Sequence, residues 1–212
     1  MKKFWETQGF IVVITAPSGT GKTTVIRKLI ERDSRLGYSV SATTRPRREA
    51  EVHGSDYFFI SEHEFDEKLE KSLFAEWAAV HGYRYGTLKT QIEDILKQGG
   101  YVMMDVDVQG ARHLREIYPD CIFIYLMPPS MKELKARLSR RGTEDEASFE
   151  QRLEDAVAEI KCLKSFDYLV INDELEKTVD EIAWIIRSER LKIERISDLT
   201  KKIRDYLEGE KE

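Results

Sequence analysis

The residues best suited to chemistry lie close together near the start of the chain, in Ala16-Pro17-Ser18-Gly19-Thr20-Gly21-Lys22-Thr23-Thr24. Gly19 and Gly21 free the backbone to turn its N–H groups around an anion. The Lys22 ammonium can reach the outer phosphates of a nucleotide, and the Thr23 hydroxyl can ligate magnesium. The spacing is that of a P-loop, G-x-x-x-x-G-K-[ST], with Ala16 where the pattern has its first glycine. A glycine turn that only resembles this loop would need neither a strand before it nor a helix after it. Both are expected here: Phe10 to Ile14 is an unbroken apolar run suited to a strand buried on both faces, and Val25, Ile26, Leu29 and Ile30 begin a helical spacing. The helix start adds its positive dipole end to the anion site.

Other reactive groups come in clusters. Arg45, Arg47 and Arg48 stand in a loop punctuated by Pro46 and Gly54. Such a cluster is either a solvated surface or, in a chain that already holds one polyphosphate, a bidentate grip on a second phosphorylated molecule. Glu76 interrupts an apolar and aromatic strand, residues 73–80, and needs a partner there, either an internal arginine or a ligand. Asp105 and Asp107 end the apolar strand 101–107, at the carboxyl edge where ligands of doubly wound sheets sit. Arg137, Arg140 and Arg141 precede Gly142 and a long helix carrying Arg152, which reads as a solvated helical hairpin or as a mobile basic patch.

The elements that must position these groups alternate. Residues 37–44 are expected as a strand, 57–60 as a strand, and Ser61 with Glu64 as the capping box of a helix to about residue 71. Helices are expected over 88–98, from Gln109-Gly110 onward, over 131–140 and over 175–188. Strands are expected over 121–127, where Pro128-Pro129 stops the run, and over 168–173. This βαβα order predicts an α/β fold with a mainly parallel sheet flanked by helices. In the tail, Ile196, Leu199, Ile203 and Tyr206 form a narrow apolar seam that either packs back on the body or meets a partner.

At 212 residues the chain can bury one core with smaller lobes inserted. Its formal net charge of -5 argues against a general nucleic-acid binder. Cys121 and Cys162 have no metal-site spacing and read as reduced packing residues of a cytoplasmic protein. Glu6 and Gln8 interrupt any signal-peptide core, and the apolar runs are too short to span a bilayer, so no membrane association is expected.

Taken together, residues 10–173 resemble the guanylate kinase family, which moves a phosphoryl group from ATP to GMP. The resemblance rests on the P-loop, on Ser41 through Glu51 with Gly54 and Tyr57, on Glu76-Trp77-Ala78, on Tyr85-Gly86-Thr87, on Asp105 through Gly110, and on Arg141-Gly142-Thr143. Ala16 and Ala50 depart from the family pattern, each standing where a glycine is usual. The resemblance implies a P-loop kinase core (1–36, 89–128 and 165–212), an inserted GMP-binding lobe (37–88) and a helical lid (129–164). It implies that Ser41, Arg45, Arg48, Glu51, Tyr57, Glu76, Tyr85, Gly86, Thr87 and Asp107 bind GMP. Residues 16–24, Arg137, Arg141 and Asn172 would bind ATP, with Lys22, Arg45, Arg137, Arg141 and Arg152 acting on the transferring phosphoryl group. Magnesium would be held by Thr23 and, through water, by Asp105. ATP and GMP, with dGMP beside GMP, are the implied substrates, and the chain is expected as a monomer or weak homo-oligomer. Two alternatives are a kinase for another nucleoside monophosphate, which has no reason to pair Glu76 with Asp107, and a non-catalytic guanylate-kinase-like interaction module. Such a module should have lost P-loop or lid groups, which this chain keeps.

Overall fold

A computed structural model describes residues 7–80, 82–139 and 146–209. In chain order its elements begin with β1 (Ile11–Thr15), α1 (Lys22–Arg32), β2 (Leu36–Tyr38), β3 (Ala42–Thr43), β4 (Phe58–Phe59), α2 (Glu62–Glu70), β5 (Phe74–Val80) and β6 (Tyr83–Leu88). There follow α3 (Lys89–Lys97), β7 (Tyr101–Asp105), α4 (Val108–Ile117), β8 (Ile122–Met127), α5 (Met131–Ser139), α6 (Glu146–Ile160), β9 (Tyr168–Ile171), α7 (Leu175–Arg190) and α8 (Leu199–Gly209).

β1 is apolar throughout because it is the middle strand of a five-stranded parallel sheet ordered β2-β7-β1-β8-β9, covered on both faces. Side chains alternate across it. Val12 and Ile14 pack with Val25, Ile26 and Leu29 of α1 and Val179, Ile182 and Ile186 of α7. Ile11 and Val13 pack with Ile92 of α3 and Ala111 and Leu114 of α4. The loop between β1 and α1 is thus anchored at both ends in the core.

A second, four-stranded sheet ordered β4-β3-β6-β5 is inserted between β2 and α3. Its β5–β6 hairpin is antiparallel, with a register shift between Phe74 and Glu76. The single strand expected over 37–44 is two strands in two sheets: Gly37 and Tyr38 pair with Val102 and Met103 in the core, while Ala42 and Thr43 pair with Gly86 and Tyr85 in the insert. The chain therefore leaves the core after residue 38, not at 37. The capping box of α2 forms as expected, the Ser61 hydroxyl accepting from the Glu64 N–H at 3.1 Å and the Glu64 carboxylate from the Ser61 N–H at 2.8 Å. Helices α5 and α6 make a small cluster of their own, Leu134, Leu138 and Ala156 with Phe149.

The tail divides. Its first part packs back: the Arg195 carbonyl accepts from the Gln8 N–H at 2.7 Å, and the Arg195 guanidinium lies 4.3 Å from the centre of the Phe10 ring. Along the seam Ile196 and Leu199 are half-buried, Ile196 pairing with Thr7, while Ile203 and Tyr206 of α8 are exposed. No described helix is long and apolar enough to cross a membrane.

Candidate active site

The loop after β1 has the backbone its glycines predict. Gly19 and Gly21 sit at φ +83° and +97°, left-handed values that strain any side chain, and a Cβ on Gly21 would come within 2.9 Å of the Asn172 amide nitrogen. The Thr20 carbonyl accepts from the Asn172 side-chain amide at 2.5 Å and from Arg137 Nη1 at 3.1 Å. Asn172 Oδ1 in turn accepts from the Thr178 hydroxyl at 3.1 Å. Asn172, expected among the ATP-binding residues, thus ties the loop to α7 through both ends of its buried amide. Ala16 lies buried in the main core cluster, so its methyl packs where the motif has glycine. The Lys22 ammonium forms an ion pair with Asp105 and donates to the Val106 carbonyl at 3.4 Å, and Thr23 and Thr24 lie exposed in the first turn of α1.

The arginine loop of the insert folds around Glu51. Arg45 meets it fork to fork at 2.6 and 3.1 Å, and the Arg48 N–H donates to it at 2.8 Å. Arg45 Nε also donates to the Tyr85 hydroxyl at 3.2 Å, and its guanidinium lies 5.6 Å from the centre of the Tyr57 ring. Glu51 is therefore a counter-ion of the arginines within the protein. Burial, with Asp105 and Tyr85 nearby, pushes the Tyr57 phenol well above its ordinary range, keeping it a neutral donor. Arg45, Arg48, Tyr57 and Tyr85 share a cavity of about 510 Å³ with Ser18 and Thr23 of the first loop, Asp105, and Arg152 from α6. The second basic patch thus reaches the site through Arg152, while Arg141 lies outside the described residues.

The other end of the cleft is acidic. Glu76 is 7% exposed and accepts from the Thr87 hydroxyl at 2.6 Å, with Ser41 Oγ 3.4 Å from the same hydroxyl. Trp77, its neighbour in sequence, alternates to the other face and is exposed. Two glycines make room for this arrangement: a Cβ on Gly86 would lie 2.8 Å from the Phe74 ring, and one on Gly110 would lie 2.7 Å from Glu76 Oε2. β7 ends at Asp105, so Asp107 is not a strand residue; it caps α4, accepting from the Gly110 N–H at 2.7 Å. No lysine or arginine among the described residues pairs with Glu76. Burial, with Asp107 adding to it against the pull of Thr87, pushes its carboxyl up to about 7. A pocket of about 250 Å³ joins Ser41, Glu76 and Asp107 to Ser18 and Lys22, so the acidic end opens directly onto the phosphate-binding loop.

The sequence model of guanylate kinase matches residues 8–189. The chain belongs to the guanylate kinase family. It is 43% identical over 202 residues to the guanylate kinase of Thermotoga maritima, covering 95% of this chain and 98% of that one. It is 42% identical to that of Caldanaerobacter subterraneus subsp. tengcongensis, covering 93% and 96%. The crystal structure of guanylate kinase from Anaplasma phagocytophilum superposes with a TM-score of 0.81 at 32% identity, covering 95% of this chain and 97% of that one. The parallel sheet with flanking helices is the P-loop kinase fold of that family, and the chain is an enzyme of the family, an ATP-dependent transferase.

One group in the cleft was missed from the sequence. Glu159 of α6 borders the pocket of Glu76, Asp107 and Lys22. It lies seven residues after Arg152, two helical turns on the same face, and that spacing was the available signal.

Proposed function

We propose that this chain transfers the γ-phosphoryl group of ATP to GMP, and to dGMP beside it, giving ADP and GDP or dGDP. The observation that carries the reading is Glu76: a buried carboxylate met by Thr87 but by no lysine or arginine among the described residues, beside Asp107, in a pocket open to Lys22. Guanine offers N1–H and its exocyclic amine as adjacent donors that one carboxylate accepts together, whereas adenine would face it with an opposed lone pair at N1. A pocket that leaves buried acceptors unpaired rejects the wrong base strongly.

In this reading Ser41, Glu76, Gly86, Thr87 and Asp107 hold the base, and Arg45, Arg48, Tyr57 and Tyr85 hold the GMP phosphate with Glu51 as their organiser. Residues 16–24 cradle the ATP phosphates. Arg137 and Asn172 support that loop through the Thr20 carbonyl, and Arg152, with Arg141, brings charge to the transferring group. Among the described residues no three acidic, histidine or cysteine side chains could hold a metal by themselves, but the Thr23 hydroxyl would be an oxygen ligand for a magnesium arriving with ATP, and the Asp105 carboxylate, paired with Lys22, would reach it through water. Bound there, magnesium would neutralise charge on the phosphates.

The protein's own part is positioning and electrostatics. The GMP phosphate is already an anion, so no general base is needed, and the chain must align it in line with the γ-phosphate, neutralise charge with Lys22 and the arginines, and exclude water. Closure of the insert (37–88, with its first two residues in the core sheet) and of the helical segment 129–164 over the core supplies that exclusion. The test is ADP release from ATP with a panel of nucleoside monophosphates. GMP and dGMP should be the substrates used, and equal use of AMP, or no turnover with any of them, refutes the reading.

A further inference from the structure

Glu159 has no place in the roles described so far. It is a part-buried residue of α6 whose Oε2 is shut off from solvent and has no hydrogen-bond partner among the described residues. Burial pushes its carboxyl up to about 7, with Lys22 pulling it down and Asp107 and Asp155 pushing it further up, so it lies within electrostatic reach of both ends of the cleft. A buried acceptor left unpaired is costly, and in a substrate cavity such an atom marks where a ligand donor goes.

The donors of GMP can be matched against the acceptors present. The nucleotide offers N1–H, two amine hydrogens and two ribose hydroxyls. Glu76, whose Oε1 already takes the Thr87 hydroxyl, and Asp107, whose Oδ1 takes the Gly110 N–H, suit the three base hydrogens. Asp105 is taken by Lys22. That leaves Glu159 and the ribose hydroxyls. Position agrees with chemistry, since Glu159 borders the pocket that runs from Glu76 at the base end to Ser18 and Lys22 at the phosphate end, and the sugar is what lies between.

We propose that Glu159 accepts from the ribose hydroxyls of the acceptor nucleotide and so sets the preference of this enzyme for ribonucleotide over deoxyribonucleotide. The proposal rests on the GMP reading above and deepens it. Because Arg152 lines the phosphate cavity from the same helix face, α6 would touch both the phosphates and the acceptor's sugar, and its seating would depend on a complete ribonucleotide.

The test compares kcat/KM for GMP, dGMP, 3′-deoxy-GMP and IMP in the wild type, Glu159→Gln and Glu159→Ala. The wild type should favour GMP over at least one deoxy analogue by about tenfold, the scale of one hydrogen bond to a charged acceptor. That ratio should shrink in Glu159→Gln, which keeps a neutral acceptor, and vanish in Glu159→Ala, while GMP over IMP is unchanged. Because Glu159 Oε2 has no partner among the described residues, the near-isosteric Glu159→Gln should not unfold at a lower temperature than the wild type. The proposal is overturned if the wild type does not discriminate, if the ribose ratios survive in both variants, or if only the GMP over IMP ratio moves. A wild type inactive on GMP overturns the underlying reading and this proposal with it, whereas an active one with unmoved ratios overturns this proposal alone.

Discussion

Glu76→Gln separates guanine recognition from phosphate binding more sharply than any other change. The amide is nearly isosteric and can still accept from Thr87, which holds the carboxylate at 2.6 Å, so the pocket should keep its shape. What changes is the far side: one accepting oxygen becomes an N–H that faces another donor on guanine. Losing a charge-assisted bond and leaving buried groups opposed should lower kcat/KM for GMP by roughly 2–3 kcal/mol, or about 30- to 160-fold. AMP use should not fall in parallel, since the new N–H suits adenine N1, and ATP affinity should hold. Two pH effects follow from a carboxyl at about 7 in the folded chain against an ordinary value of 4.5. Between those values the folded chain holds a proton that the unfolded chain has released, so wild-type stability falls as pH rises and levels off above about 7. Glu76→Gln escapes this, and its stability relative to wild type should rise across that window by an amount on the order of 3 kcal/mol at most. Likewise kcat/KM for GMP should decline below about pH 7 in the wild type, where Glu76 must first lose its proton, and lose that limb in the variant. The assay is kcat/KM for GMP and AMP from pH 5.5 to 8.5, with thermal unfolding over the same range. If the variant keeps the full preference for GMP over AMP, Glu76 is a structural carboxylate satisfied by Thr87, and base selection passes to Ser41, Thr87 and Asp107.

Other outcomes can be stated briefly. Lys22→Ala should lower turnover by ~100-fold or more while the protein stays folded, the scale of losing one electrostatic stabiliser of the transition state; near-normal turnover would refute the P-loop assignment. Asn172→Ala should cost about 0.5–1.5 kcal/mol of stability, the net worth of a hydrogen bond, because the Thr20 carbonyl keeps Arg137 at 3.1 Å and the Thr178 hydroxyl keeps the Glu174 carbonyl at 3.0 Å, and should raise KM for ATP by loosening the loop; an unchanged KM would show that Arg137 alone suffices. Ending the chain after Ser197 should spare kcat/KM, because α8 contributes no residue to either cavity of the cleft. Ending it at Arg190 should lower the unfolding midpoint, because the buried Glu189 loses Arg195 at 3.2 Å and Lys192 at 2.9 Å; equal midpoints for the two truncations would show that this cluster is not stabilising.

The parts of the site that were legible in the sequence are those fixed locally. The strand, glycine loop and helix at residues 10–30 were readable because hydrophobic period and backbone freedom are properties of neighbouring residues. The capping box at Ser61 and Glu64 was readable for the same reason. Residues 37–44 were not, because nothing in their composition marks a break. The strand is divided by its partners, the Ser39 N–H donating to the Met103 carbonyl at 3.0 Å while Ala42 pairs with Gly86. The brace behind the phosphate loop was equally hidden: Thr20 is held by side chains more than a hundred residues away, and no spacing rule reaches that far.

The charges of the cleft are sorted in a way that explains how one site can hold two phosphorylated molecules and still choose a base. At the phosphate end the cations are already balanced within the protein, Lys22 by Asp105 and Arg45 by Glu51. A phosphate arriving there must compete with a carboxylate for each of them, so the gain from phosphate contact alone is a difference of two similar terms. At the base end the order is reversed: Glu76, Asp107 and Glu159 have no cation paired with them among the described residues, and burial makes the ionised forms of Glu76 and Glu159 expensive. Selectivity therefore resides where the protein is least satisfied by itself. A nucleotide that brings the right donors relieves that cost, one that brings acceptors deepens it, and the phosphate it shares with every competitor contributes little to the distinction.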